Sequence, residues 1–164
     1  MGRGYIFEVV SNDNISDIGS LSEDDLYESI DALSVDYVSN LDEDDTLCEK
    51  EYFAEMLKKC GAEIGSEIID GKTYPTIKGL TPEVKEKYFE KKFEKMKSIS
   101  EKMTLREFST SKGCLDNVYE LKMAIEDNYS DMVYENYTYS TRDSWIREAD
   151  QAKTYYLGNV VFLH

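Results

Sequence analysis

The chain has 164 residues, 41% of them hydrophobic and 12% aromatic, with 34 acids against 19 bases for a net charge of -15. That length suits one domain with its own core, and the apolar content excludes a fully disordered chain despite the charge. No apolar run reaches the ~18 residues that a membrane-spanning helix needs.

In chain order, residues 4–10, "GYIFEVV", are β-rich, and a helix is expected over 22–33. Ser22 is its candidate N-cap with Asp25 as the capping-box acid, and Leu21 and Leu26 have the spacing of a hydrophobic staple. Leu26, Ile30 and Leu33 form its apolar face. A second helix, 43–60, starts from Asp42 as cap and stops before Gly61, a candidate C-terminal cap. "EIIDGKTYPTIK" places Asp70-Gly71 between two β-prone runs, a hairpin in which Pro75 pushes the second strand toward a sheet edge. Thr81-Pro82 opens a helix over 82–103. Helices over 114–127 and 141–152 follow, and "TYYLGNVVFL" (154–163) reads as a buried strand. These elements predict a single α+β domain over 1–164, about five helices on a small mixed or antiparallel sheet that includes both terminal strands.

Charge is unevenly placed. Residues 1–49 hold 14 acids against Arg3 alone, and residues 4–49 contain no Lys or Arg. Residues 72–112 carry 11 bases and 6 acids. Part of the acidity is helix-start chemistry: Glu23, Asp24 and Asp25, then Asp42, Glu43, Asp44 and Asp45, complement the positive ends of helix dipoles. That does not cover Glu28 and Asp31, which continue from Asp24 along one face, nor Asp36. Like charges at this spacing destabilise a helix by about 0.2–0.5 kcal/mol per pair, so a lysine there would ordinarily help. The run reads either as a solvated face or as a surface for a basic partner, with Asp24, Glu28, Asp31, Asp36, Asp42, Asp44 and Asp45 as the partner-binding residues.

Carboxylates three or four apart on a helix are spaced by about 5–6 Å, close to the repeat of phosphates along a nucleic-acid strand. In size, acidity and this carboxylate stripe the chain resembles the nucleic-acid-mimicking inhibitors of phages and mobile elements, including anti-restriction and anti-CRISPR proteins. The resemblance is one of character and implies a cytoplasmic module that binds and inhibits a nucleic-acid-handling protein.

Other chemistries compete with it. In 82–103, Val84, Phe89, Phe93, Met96 and Met103 approximate an apolar stripe, and Lys87, Lys91 and Lys95 form a row that could contact phosphates, although Glu86, Glu90 and Glu94 interrupt it. Asn40, Asp42, Asp44 and Glu51 fall at positions 1, 3, 5 and 12 of a calcium loop, but Asp45 stands where that loop requires Gly, so a helix cap competes with the metal reading. "GSEIIDGKT" has five residues between Gly65 and Gly71 where a phosphate-binding loop has four. Asp70 with Glu83 and Lys85 imitates a nuclease pattern, yet Pro82 puts the second half on a helix rather than a strand. Tyr134, Tyr137, Tyr139 and Trp145 suit an interface and half-buried strands equally. Cys48, Cys60 and Cys114 are never spaced as Cys-x-x-Cys and read as buried thiols. The one His is His164, which leaves no His-assisted nucleophile. The expectation is a non-enzyme without cofactor. "MGRGYIFEVV" has no long apolar segment after its charge, and Ile6 stands where a myristoylation signal wants Ser or Thr, so the cytosol is the expected compartment.

Overall fold

A computed structural model describes residues 4–27, 37–110 and 114–164, with positions 25 and 27 as backbone. Seven strands form one mixed sheet: β1 (Gly4–Ser11), β2 (Val38–Asn40), β3 (Glu63–Ile69), β4 (Lys72–Lys78), β5 (Asp131–Glu135), β6 (Thr138–Thr141) and β7 (Tyr155–Leu163). Their order is β3-β4-β7-β1-β5-β6, with β2 also on β7. Only β1 and β5 run parallel; the other pairs are antiparallel. The two terminal strands are thus adjacent and central, as their near-continuous apolar sequences require of strands buried on both faces.

Among the described residues there are six α-helices: α1 (Glu23–Tyr27), α2 (Glu43–Lys59), α3 (Pro82–Glu101), α4 (Leu105–Phe108), α5 (Leu115–Ile125) and α6 (Arg142–Glu148). A 3-10 turn spans Asn12–Asp17. None of the described helices is long and apolar enough to cross a membrane.

Each sheet face has its own core. On one, Phe7, Val9, Leu157 and Val160 meet Phe53 and Leu57 of α2, Val84 of α3 and Trp145 and Ile146 of α6. On the other, Ile6, Val161 and Leu163 meet Leu21, Leu26, Val38 and Tyr134. Each large side chain buried here contributes roughly 1.5–3 kcal/mol. Leu21 and Leu26 are both fully buried in that second core, in keeping with the staple spacing.

Capping follows the sequence closely. Asp42 accepts from the Asp45 N–H at 2.8 Å, and Thr81 from the Val84 N–H at 3.4 Å. After α2, the Gly61 N–H bonds the Lys58 carbonyl (2.9 Å) and the Ala62 N–H the Leu57 carbonyl (3.1 Å). That Schellman pattern needs the positive φ of +105° that Gly61 adopts. Asp70 and Gly71, both at positive φ, make the β3–β4 hairpin.

Several expectations need correction. β4 is not an edge strand, because it lies between β3 and β7. Its pairing with β7 begins at Thr76, one residue beyond Pro75, so the missing N–H falls outside that ladder. The sheet is larger than the small one expected: β2, β5 and β6 add to it, and the tyrosine segment that suits half-buried strands and an interface equally supplies β5 and β6. β5 and β6 are a hairpin whose Asn136 and Tyr137 both take positive φ (50° and 60°), the geometry of a tight primed turn without its usual glycine. The helix expected over 141–152 stops at Glu148, where Ala149 is already extended, and the one expected over 114–127 spans Leu115–Ile125. Of the stripe proposed for 82–103, Val84 is buried, while Phe93 is 59% exposed and Ile99 takes the second buried position. The 22–33 helix is described only as far as Tyr27; its Ile30 and Leu33, and the side chain of Asp25, lie outside the described residues.

Candidate functional site

The acidic half is anchored by a buried carboxylate. β1 and β7 change register between Phe7 and Val9, so that Gly158 and Asn159 together face Glu8. This bulge turns Glu8 toward the chain that leads into α1. Glu8 is 1% exposed. Its Oε1 accepts from the N–H groups of Gly19 (2.8 Å) and Asn159 (3.0 Å), its Oε2 from the Leu21 N–H (2.7 Å) and the Ser20 hydroxyl (3.0 Å). Four donors satisfy a charge that would otherwise be costly to bury. Asn159 adds a second tie by donating its side-chain amide to the Leu21 carbonyl at 2.8 Å. A Cβ on Gly158 would lie 1.8 Å from Glu8 Oε1, so only glycine admits the carboxylate there.

This latch places α1, and a reciprocal pair joins α1 to β2. The Glu23 N–H donates to Asn40 Oδ1 (3.2 Å), and the Asn40 N–H to Glu23 Oε2 (3.0 Å). Two residues beyond Asn40, Asp42 caps α2. The two acidic helix starts, at Glu23 and Glu43, therefore share one edge of the molecule. Asp24, Asp42, Glu43, Asp44 and Asp45 are all exposed. Within the described residues none of these five, nor Glu23, forms an ion pair. Lys50, the first base after the acidic run, is buried with its ammonium 5.7 Å from the Tyr74 ring. Burial lowers its pKa, against the opposing pull of Glu8.

Of the partner-binding residues read from sequence, the structure brings Asp24 to the same edge as Asp42, Asp44 and Asp45; Glu28, Asp31 and Asp36 lie outside the described residues. The calcium reading loses its loop. Asn40 ends a strand with its side-chain Oδ1 accepting from the Glu23 N–H, Asp42 Oδ1 accepts from the Asp45 N–H, and Asp44 and Glu51 lie along a regular helix. Among the described residues no three His, Cys, Asp or Glu side chains converge to hold a metal ion.

The second half carries a charge cluster that sequence reading missed. Asp143 accepts from the Tyr88 hydroxyl (2.7 Å) and pairs with Lys92 (2.8 Å). Arg142 donates to the Tyr88 oxygen (3.0 Å) and to Asp131 (2.6 Å). Asp127 takes Thr141 (2.9 Å), Arg147 (3.0 Å) and, at 3.5 Å, Lys92. Burial raises the Tyr88 pKa strongly, keeping the phenol neutral and able to donate. Burial pushes Asp127 upward too, but hydrogen bonds from Thr141 and Arg147 and the charges of Arg147 and Lys92 prevail and lower it. Three cations and three carboxylates are thereby committed to one another, tying α3 to α6 and β5. The partners are scattered from Tyr88 to Arg147 with no recurring spacing, which is why no motif announced them.

Lys87, Lys91 and Lys95 are exposed along α3. Lys87 pairs with Glu90 at 3.1 Å, whereas Lys91 and Lys95 have no ion-pair partner among the described residues and line a cleft of about 470 Å³ between α3 and α5. Lys85, the base of the nuclease-like pattern, instead donates to the Arg147 and Ala149 carbonyls at the end of α6. The tyrosines divide: Tyr134 is buried, Tyr137 is 73% exposed at the hairpin turn, and Trp145 is buried, with its indole N–H on Glu135 at 3.0 Å. No family model, curated protein or solved structure matches this chain.

Proposed function

We propose that the protein is a cytoplasmic interaction module that binds and inhibits a nucleic-acid-handling protein through its acidic edge, occupying the basic surface that would otherwise meet phosphates. One observation carries the reading: the Glu23–Asn40 exchange sets two acidic helix starts side by side, with their exposed carboxylates unpaired among the described residues. Repulsion within such an edge is relieved when it meets a basic surface, and complementary fields speed the encounter and reject acidic competitors. Glu28, Asp31 and Asp36 extend the same lysine-free segment in sequence.

The test is affinity capture from source-cell lysate, with and without nuclease. A partner retained after nuclease treatment, released by salt and displaced by added nucleic acid is expected. Converting Asp24, Glu28, Asp31 and Asp36 to Lys should abolish capture while leaving the circular-dichroism spectrum and melting temperature close to wild type. Undiminished capture by that folded variant, or retention that disappears with nuclease, would refute the reading.

A further inference from the structure

We propose that the groove between α3 and α5 seats an acidic amphipathic helix of a partner protein, at a surface separate from the acidic edge. The observation begins with α5. It is rich in apolar residues, yet of its side chains only Ala124 is buried; Met123 and Ile125, which line the groove, are 53% and 50% exposed. Across the seam, Phe93 of α3 is also exposed. Exposed apolar side chains on both walls of one seam, on a chain of net charge -15, mark a place for another surface to lie.

The shape of the seam is that of a trough. A hollow of about 220 Å³ is floored by Phe89, Phe93, Met96, Ala124 and Ile125. The adjoining 470 Å³ cleft shares Phe89, Lys92 and Ala124 with it and adds Met123, Lys91 and Lys95. Helix α5 has 11 residues, about 16 Å of axis at 1.5 Å per residue. A partner helix of three to four turns, with apolar anchors recurring every three or four residues, matches that length.

Charge selects the occupant. Lys92 is spent on Asp143, Asp127 and the Glu126 carbonyl, Arg142 on Asp131 and Tyr88, and Arg147 on Asp127 and the Phe89 ring. Glu126, which also lines the cleft, pairs with Lys122 at 3.5 Å; what remains at the rim is Lys91 and Lys95, one helical turn apart and without a partner among the described residues. They call for carboxylates flanking an apolar stripe. Nucleic acid fits less well, because the floor is aromatic and aliphatic and offers a phosphate backbone nothing to cover it.

The probe is a labelled peptide of about 16 residues, Leu on one helical face and Glu elsewhere, titrated by fluorescence anisotropy against the full chain. Its sibling carries Lys in place of Glu, and a single-stranded oligonucleotide is the third ligand. The acidic peptide is expected to bind at least about tenfold tighter than the basic one at low salt, the margin shrinking as screening grows. Phe93→Ser should weaken it by about tenfold or more, and K91E/K95E should reverse the preference between the two peptides. Both changes are at exposed positions, and unaltered melting of each variant keeps the result interpretable. Equal binding of the two peptides, no saturation by the acidic one, tighter binding of the oligonucleotide, or self-association that Phe93→Ser abolishes would each overturn the proposal. The last two outcomes would give the groove to nucleic acid or to a second copy. Charge reversal at Asp24, Glu28, Asp31 and Asp36 should leave peptide binding intact, which separates this groove from the acidic edge.

Discussion

The two halves of the molecule satisfy their carboxylates by different means. In the N-terminal half, Glu8, Glu23 and Asp42 are held by N–H groups of Gly19, Leu21, Asn159, Asn40 and Asp45. In the C-terminal half, Asp127, Asp131 and Asp143 are held by Lys92, Arg142 and Arg147. Asp13 crosses the division by pairing with Lys153 at 2.9 Å. The contrast explains how the described part of 4–49 is held without a base of its own: backbone N–H groups satisfy Glu8, Glu23 and Asp42. In the C-terminal half the same number of carboxylates leaves almost no net field, since each has a cation against it.

The largest test of this comparison is the latch. Glu8→Ala leaves the Gly19, Leu21 and Asn159 N–H groups without their acceptor and should cost about 3 kcal/mol or more in urea denaturation, each orphaned buried donor being worth roughly 1–3 kcal/mol. Gly158→Ala should cost a similar amount by driving its Cβ into the same carboxylate. The decisive measurement is the double variant, in which Gly158→Ala should add little, because the group it collides with is gone. Additive losses would mean that Gly158 matters for some reason other than Glu8.

The ion network should respond less, and differently. Asp143→Asn removes one carboxylate from between Lys92 and Tyr88, a loss of about 2 kcal/mol for charge-assisted bonds that are mostly buried. Replacing Lys92 by Met in that background should recover part of it, since the part-buried cation has lost its nearer carboxylate and keeps only Asp127, at 3.5 Å, and the Glu126 carbonyl. A double variant as unstable as the sum of its parts would show that the two residues act independently.

pH separates the halves further. Asp127 has its pKa lowered in the folded state, so the stability it adds is complete above the unfolded value of about 3.9 and disappears as pH falls through the folded value. Asp127→Asn should therefore cost roughly 1 kcal/mol at pH 7, discounted for partial exposure, and progressively less below about pH 4. A deficit that stays constant from pH 7 to pH 2.5 in urea melts would show that Asp127 acts through packing rather than charge.

Legibility in the sequence follows the range of the forces involved. The caps at Asp42 and Thr81, the Gly61 stop and the Asp70-Gly71 hairpin are local, decided within four or five residues, and they stand where the chain's own pattern puts them. The burial of β7 was legible because a strand buried on both faces must be apolar throughout, whereas β1 read only as β-rich and the strand order was not legible. Nor were β5 and β6, because Tyr134 and Tyr139 carry hydroxyls that suit an interface as well as a half-buried strand, and Asn136-Tyr137 lacks the usual turn glycine. Nothing local could show that β1 would pair in parallel with β5, more than a hundred residues away, or that Glu8 would meet a bulge at Gly158. For the acidic edge, the types of residue were evident, but the contact between its two clusters rests on a hydrogen-bond exchange between Glu23 and Asn40 that composition does not encode.

The smallest expected effect is the most useful for function. Asp44 lies in the first turn of α2, where a carboxylate gains about 0.3–1 kcal/mol from the helix dipole. The same residue is crowded by Asp42, Glu43 and Asp45, and like charges at this separation give back a comparable amount. Asp44→Lys should then change stability by no more than about 0.5 kcal/mol at physiological salt, whereas Asp42→Ala, which removes the cap itself, should cost about 1 kcal/mol. Charge on the edge can thus be altered without disturbing what holds the edge in place. If Asp44→Lys weakens capture of the partner while Asp42→Ala, after correction for stability, weakens it no more, the edge acts through its local field. The reverse ranking would make helix order, rather than charge, the quantity the partner reads.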